Sequence, residues 1–136
     1  MQQQNFHPSI PDFCLNEWKL AAAIYDVPRL PGLYAIYSDC SLEECLYVGK
    51  SESSIRTRLA SLAHKPWLMA TSRFSFPIIL YRIIQSANHR ELCFHECLAI
   101  AVLRPLWNFG DISWADDEII EKERHKRIAS SQVIAP

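Results

Sequence analysis

The stretch "NHRELCFHECLAIAVL", residues 88–103, carries a carboxylate where its pattern calls for an apolar side chain. At about 100° per residue, Glu96 shares a helix face with Leu92, Ile100 and Leu103. Burying a carboxylate there is costly without a partner. Two readings follow: a glutamate at the core edge paired with an arginine, or a metal ligand or acid–base group held on a rigid element. A second stretch, "ECLYVGKSESSIRTRL" (44–59), ends an apolar run at Gly49, adds Lys50, and then sets Arg56 and Arg58 in what reads as a helix. From Leu46 to Arg90 there are seven basic residues and one acid, Glu52, whereas the rest of the chain holds seven basic and fourteen acidic residues. With a net charge of −1, the chain is not a general polyanion binder, but its middle could present one positive face to phosphates. The alternative is that these side chains are the wet sides of helices and strands.

The elements that must hold these residues are readable from apolar periodicity. A helix is expected over 11–25, with Pro11 in its first turn. Strands follow at 33–38 ("LYAIYS") and 45–48 ("CLYV"), joined as an antiparallel hairpin by "DCSLEE". A helix capped by Ser53 or Ser54 runs to about His64, with Ile55, Leu59 and Leu62 inward. The run "FPIILYRII" (76–84) is a buried strand rich in β-branched residues. Asn88 or His89 opens a helix to about Leu103, which "RPLWN" ends. A charged helix over 114–129 closes the chain. The expected fold is α+β, a small three-stranded, mainly antiparallel sheet flanked by helices. At 136 residues, 49% of them hydrophobic, this is one domain. No apolar run reaches the roughly 18–20 residues of a membrane span. The N-terminal segment lacks the pattern of a signal peptide, so a cytoplasmic location is expected.

Taken in order, Gly32-Leu33-Tyr34, Tyr47-Val48-Gly49, Arg58, Glu96 and the proline-to-asparagine ending "RPLWN" resemble the GIY-YIG nuclease family. The resemblance spans about residues 30–109, roughly 60% of the chain. "GLY" and "YVG" are conservative forms of the two tripeptides that name the family, and Lys50 is similar to a lysine of its excision-repair branch. The helix arginine lies one residue later than in that branch, so Arg56 competes with Arg58; the pair Arg58-Leu59 favours Arg58. The resemblance implies hydrolysis of a DNA phosphodiester with one divalent cation, Mg²⁺ or Mn²⁺, held by Glu96. It implies that Arg58 grips the scissile phosphate through its planar fork. One tyrosine would be the general base on water, with Tyr47 preferred and Tyr34 as its hydrogen-bonded neighbour. Unperturbed tyrosine titrates near 10, so ionisation at pH 7 costs about 4 kcal/mol, which nearby cations such as Lys50 and Arg58 would reduce. Gly49 would let the chain leave its strand with no Cβ in the way of a substrate.

Supporting positions are Gly49, Lys50, His64 and Asn108. His64 reads equally as a phosphate or water contact and as a helix-end histidine favoured by the helix dipole. Asn108 reads as a tie between the segment after the helix and the core. Lys50, Arg56, Arg58, Lys65 and Arg73 are the candidate DNA contacts. Little chain lies outside the core, so a homodimer or a partner protein is the expected way to add affinity. Two other classes remain: a nucleic-acid-binding or protein-interaction module that keeps the fold without turnover, and a zinc domain built on Cys40, Cys45, Cys93 and Cys97, whose spacing fits no standard ligand pattern. Free thiols acting as small hydrophobes are the plainer reading of the five cysteines.

Overall fold

Gly32 opens the strand on which the rest of the sheet is built. A Cβ at this position would stand 2.1 Å from the Arg82 carbonyl oxygen, so only glycine lets the two strands approach. The structure is a computed structural model and describes residues 17–85, 88–108 and His125. Four strands appear among them, β1 (Lys19–Ala21), β2 (Gly32–Tyr37), β3 (Cys45–Ser51) and β4 (Ile78–Ile83), in the order β1-β4-β2-β3 with every pairing antiparallel. Three α-helices accompany them: α1 (Ile55–Ala60), α2 (Pro66–Arg73) and α3 (His89–Leu103). The α+β class therefore holds.

The sheet has four strands, not three. The additional one comes from the segment expected as a helix over 11–25: Lys19, Leu20 and Ala21 pair with Tyr81, Leu80 and Ile79, and a 3-10 turn follows at Ile24–Asp26. Alanine-rich composition favours helix only weakly. The far side of β4 would otherwise leave a row of unpaired backbone groups, and the segment completes that ladder instead. Residues 11–16 of the expected helix, and the helix expected over 114–129 apart from His125, lie outside the described residues.

The helix after β3 is shorter than expected. Ser54 caps it by accepting from the Thr57 amide, but it stops at Ala60, and α2 begins anew at Pro66. Proline cannot donate back into a preceding turn, yet it suits a first turn, so it starts a helix rather than extending one. Helix α3 has the expected bounds. Asn88 and Glu91 form a reciprocal capping box at its start, and Arg104 ends it in the left-handed conformation just before Pro105.

Two apolar layers sandwich the sheet. On one face Leu33, Ala35, Val48 and Leu80 pack against Leu92, Ala99 and Leu103 of α3. On the other, Tyr34, Ile36 and Ile79 meet Ile55 and Leu59 of α1 and Trp67 and Ala70 of α2. Strand β2 is buried along its whole length, which fits its near-continuous apolar sequence. No helix of the described residues is long and apolar enough to cross a membrane.

Candidate active site

Alternation along β2 and β3 sends Tyr34 and Tyr47 to the face covered by α1. Tyr34 stands opposite Gly49 in the register, and its ring occupies the space that a side chain at 49 would need. A Cβ there would lie 2.4 Å from the Tyr34 hydroxyl oxygen and 2.5 Å from the ring carbon bearing it. This corrects the expected role of Gly49. The strand does not end at this residue but continues to Ser51, and the missing Cβ makes room for a tyrosine rather than for substrate.

The two tyrosine rings have centroids 6.2 Å apart, and the His64 ring meets both edge-on, at 5.7 Å from Tyr34 and 5.6 Å from Tyr47. The Tyr34 hydroxyl is hydrogen-bonded to His64 Nε2. Burial, then the Arg58 charge, pushes His64 down to about 4, so its ring is neutral at pH 7. Burial raises Tyr34 well above the ordinary phenol value, which makes the phenol the donor and Nε2 the acceptor. Because α1 stops at Ala60, His64 is not a helix-end residue. It sits in the turn between α1 and α2 with its side chain buried against the tyrosines.

Arg56 and Arg58 are 200° apart around α1, so the helix cannot aim both at one place. Arg56 Nε donates to the Val27 carbonyl at 2.7 Å and its Nη2 to the Tyr25 carbonyl at 3.0 Å, which fastens the 3-10 turn to α1. Arg58 is on the other side. Its charge is felt at Tyr34, Tyr47, His64 and Glu96. Of the two, Arg58 belongs to the cluster.

Glu96 is half-buried on α3. Burial raises its carboxyl, and the charges of Lys50 and then Arg58 pull it back down. Lys50 lies opposite Leu33, on the face of the sheet that α3 covers, and so approaches Glu96 from its own side. Glu96 acts in turn on the phenols. Tyr47 is raised first by burial and next by Glu96, against a lowering by Arg58. Tyr34 is raised by burial and by the Tyr47 phenol, again with Arg58 opposing. The expectation that nearby cations ease tyrosine ionisation thus holds for the sign of Arg58's effect but not for the net shift, which burial decides.

Asn108 completes the arrangement. Its Oδ1 accepts from the Val48 amide and its Nδ2 donates to the Val48 carbonyl, both at 2.8 Å. The Trp107 and Leu106 amides donate to Leu46 and Cys45. The segment after α3 therefore runs along the outer edge of β3 and satisfies it, in keeping with the tie expected of Asn108. Arg73, at the end of α2, has its guanidinium 5.7 Å from the centre of the Trp107 ring. The five basic candidates are consequently not one track: Arg56 is engaged by backbone, Lys50 faces α3, and Lys65 and Arg73 bracket α2.

Among the described residues, no group of three or more histidine, cysteine or acidic side chains is placed to hold a metal. Cys40, Cys45, Cys93 and Cys97 are free and do not assemble; Cys45 is buried. Glu96 makes no hydrogen bond or salt bridge within the described residues. A single half-buried carboxylate suits a hard divalent cation that keeps most of its waters. The missed feature with the clearest signal in the sequence was α2, since "KPW" (65–67) places a proline where helices start. Neither the models of known protein families nor the curated proteins include a match to this chain.

Proposed function

We propose that this chain is a metal-dependent DNA endonuclease of GIY-YIG type, hydrolysing phosphodiester bonds with a tyrosine-activated water. The observation that carries the reading is the cluster itself. Tyr34, Tyr47, His64, Arg58 and Glu96 come from two strands, a turn and two helices, and electrostatics couples each of them to others in the set. Structural packing alone gives no reason for an arginine, a neutral histidine and a half-buried carboxylate to converge on two phenols.

Each residue then has a role that its surroundings permit. Tyr34 is fully buried and its hydroxyl is engaged by His64, so it orients the network. Tyr47 is only half-buried, in contrast to Tyr34, and it is the general base. His64, neutral at pH 7, accepts the Tyr34 hydroxyl's hydrogen bond and fixes the orientation of that phenol. Arg58 is exposed and offers a bidentate fork to a phosphate. Glu96 would hold Mg²⁺ or Mn²⁺, with Lys50 beside it. When bound, such a cation supplies Lewis-acid polarisation of a phosphate oxygen and stabilises the leaving oxygen. Asn108 fixes the β3 edge next to Tyr47.

The test is cleavage of supercoiled plasmid, with relaxed and linear products resolved on a gel, in Mg²⁺ or Mn²⁺. Wild type should cut, and Glu96→Gln and Tyr47→Phe should not. A wild-type protein that binds DNA without cutting in either metal would make this a binding module instead. Cleavage by Glu96→Gln at the wild-type rate would remove the metal assignment.

A further inference from the structure

At the start of α3, away from the tyrosine cluster, lies a second group of chemically capable side chains. His89 and Cys93 are four residues apart, so they sit one above the other on the same face of the helix. Cys93 Sγ is 3.5 Å from His89 Nε2. The other ring nitrogen, Nδ1, is hydrogen-bonded to Glu52 on the segment between β3 and α1. Glu52 and His89 are both well exposed, with side chains 55% and 65% accessible, so solvent reaches the pair freely.

We infer that His89 and Cys93 form a two-ligand site for a borderline-soft divalent cation such as Zn²⁺, with Glu52 holding the imidazole in the binding orientation. Geometry carries the inference. Zn–S and Zn–N bonds of about 2.3 and 2.0–2.1 Å at the tetrahedral angle place sulfur and nitrogen about 3.5–3.6 Å apart, which is the separation found here. The separation of the two atoms matches what one shared ion requires. A carboxylate on the distal imidazole nitrogen is the usual partner of a metal-bound histidine, because it fixes the tautomer and raises ligand basicity. Here it comes from a different element, which makes the orientation independent of the helix. Thiolate plus imidazole selects Zn²⁺ or Co²⁺ over Mg²⁺. Since no third histidine, cysteine or acid is placed to join them among the described residues, water fills the remaining positions. Binding replaces the Cys93 S–H bond with a metal–sulfur bond and releases one proton to solvent. The site stands independently of the nuclease reading.

Cobalt(II) titration tests it directly, because thiolate-bound cobalt gives an intense near-ultraviolet charge-transfer band that water-bound cobalt lacks. The full-length protein should develop this band with one ion bound and one proton released, and excess Mg²⁺ should not remove it. Cys93→Ser and His89→Gln should abolish the band with unchanged circular dichroism, whereas Cys97→Ser and Cys40→Ser should keep it. Glu52→Gln should weaken binding about 10- to 100-fold. A wild-type protein with no band, or a Cys93→Ser variant that keeps it, would overturn the site and leave the 3.5 Å contact as an ordinary S–H···N hydrogen bond. Full affinity in Glu52→Gln would overturn the role given to the carboxylate.

Discussion

Replacing Asn108 isolates one element of the arrangement and gives it a magnitude. Its carboxamide makes two bonds to a single peptide group, accepting from the Val48 amide and donating to the Val48 carbonyl. Each such bond has a net worth of about 0.5–1.5 kcal/mol, so Asn108→Ala should destabilise by about 1–3 kcal/mol. Asn108→Asp separates the two halves. The new carboxylate can still accept from the amide, but it faces the carbonyl with a lone pair and leaves it unsatisfied, for a loss of about 2 kcal/mol at pH 7. Once protonated, the carboxyl can donate again. The folded state therefore favours the protonated form, and the carboxyl's folded pKa rises above the unfolded value of about 3.9. The sign follows: stability is fully present below the unfolded value and is lost as pH rises through the folded one. The stability gap between Asn108→Asp and wild type should thus be smallest near pH 4 and widen toward pH 7. Urea denaturation followed by tryptophan fluorescence, with Trp107 adjacent to the substitution, measures both quantities. An alanine variant within about 0.5 kcal/mol of wild type, or a gap that does not widen with pH, would refute the claim that Asn108 stitches the β3 edge.

Gly49→Ala should cost about 1–3 kcal/mol by pushing its methyl into the buried Tyr34 ring, and Tyr34→Phe should not rescue it, because the ring carbon 2.5 Å from that methyl remains; denaturation of the single and double variants checks this. His64 titrates at about 4 when folded against 6.5 ordinarily, so its contribution is fully present above 6.5 and is lost as pH falls toward 4. That gap is worth about 3 kcal/mol, and a His64→Gln variant whose stability falls over this window as steeply as wild type would exclude it. Arg58→Lys should cut turnover strongly with a modest loss of DNA affinity, whereas Arg56→Ala should lower thermal stability by releasing the Tyr25–Val27 turn; steady-state cleavage and melting curves, reversed between the two, would exchange their roles. DNA binding by Glu96→Gln should weaken with salt at a slope of about −0.9 per phosphate neutralised, and with the basic residues divided between two faces only about two or three contacts are expected. A flat salt response in a fluorescence titration would rule out a basic DNA face.

Much of the site was legible in the linear sequence because local physics fixes it. Strand alternation and the apolar run place Tyr34 and Tyr47. The capping box at Asn88 and Glu91, the left-handed end at Arg104 and the following proline set the bounds of α3. A 100° period then brings Glu96 into line with Leu92 and Leu103. The choice between Arg56 and Arg58 was not local: a 200° separation states that they diverge, but only the position of the Tyr25–Val27 carbonyls says which one is engaged. The reason for Gly49 was also hidden, since it lies in the ring of a residue fifteen positions earlier that the β2–β3 register brings opposite. Strand β1 formed because β4 had an unpaired edge, a property of the assembled sheet that no window of the sequence contains. Burial decided the tyrosine and histidine titrations, and burial exists only once both faces of the sheet are covered.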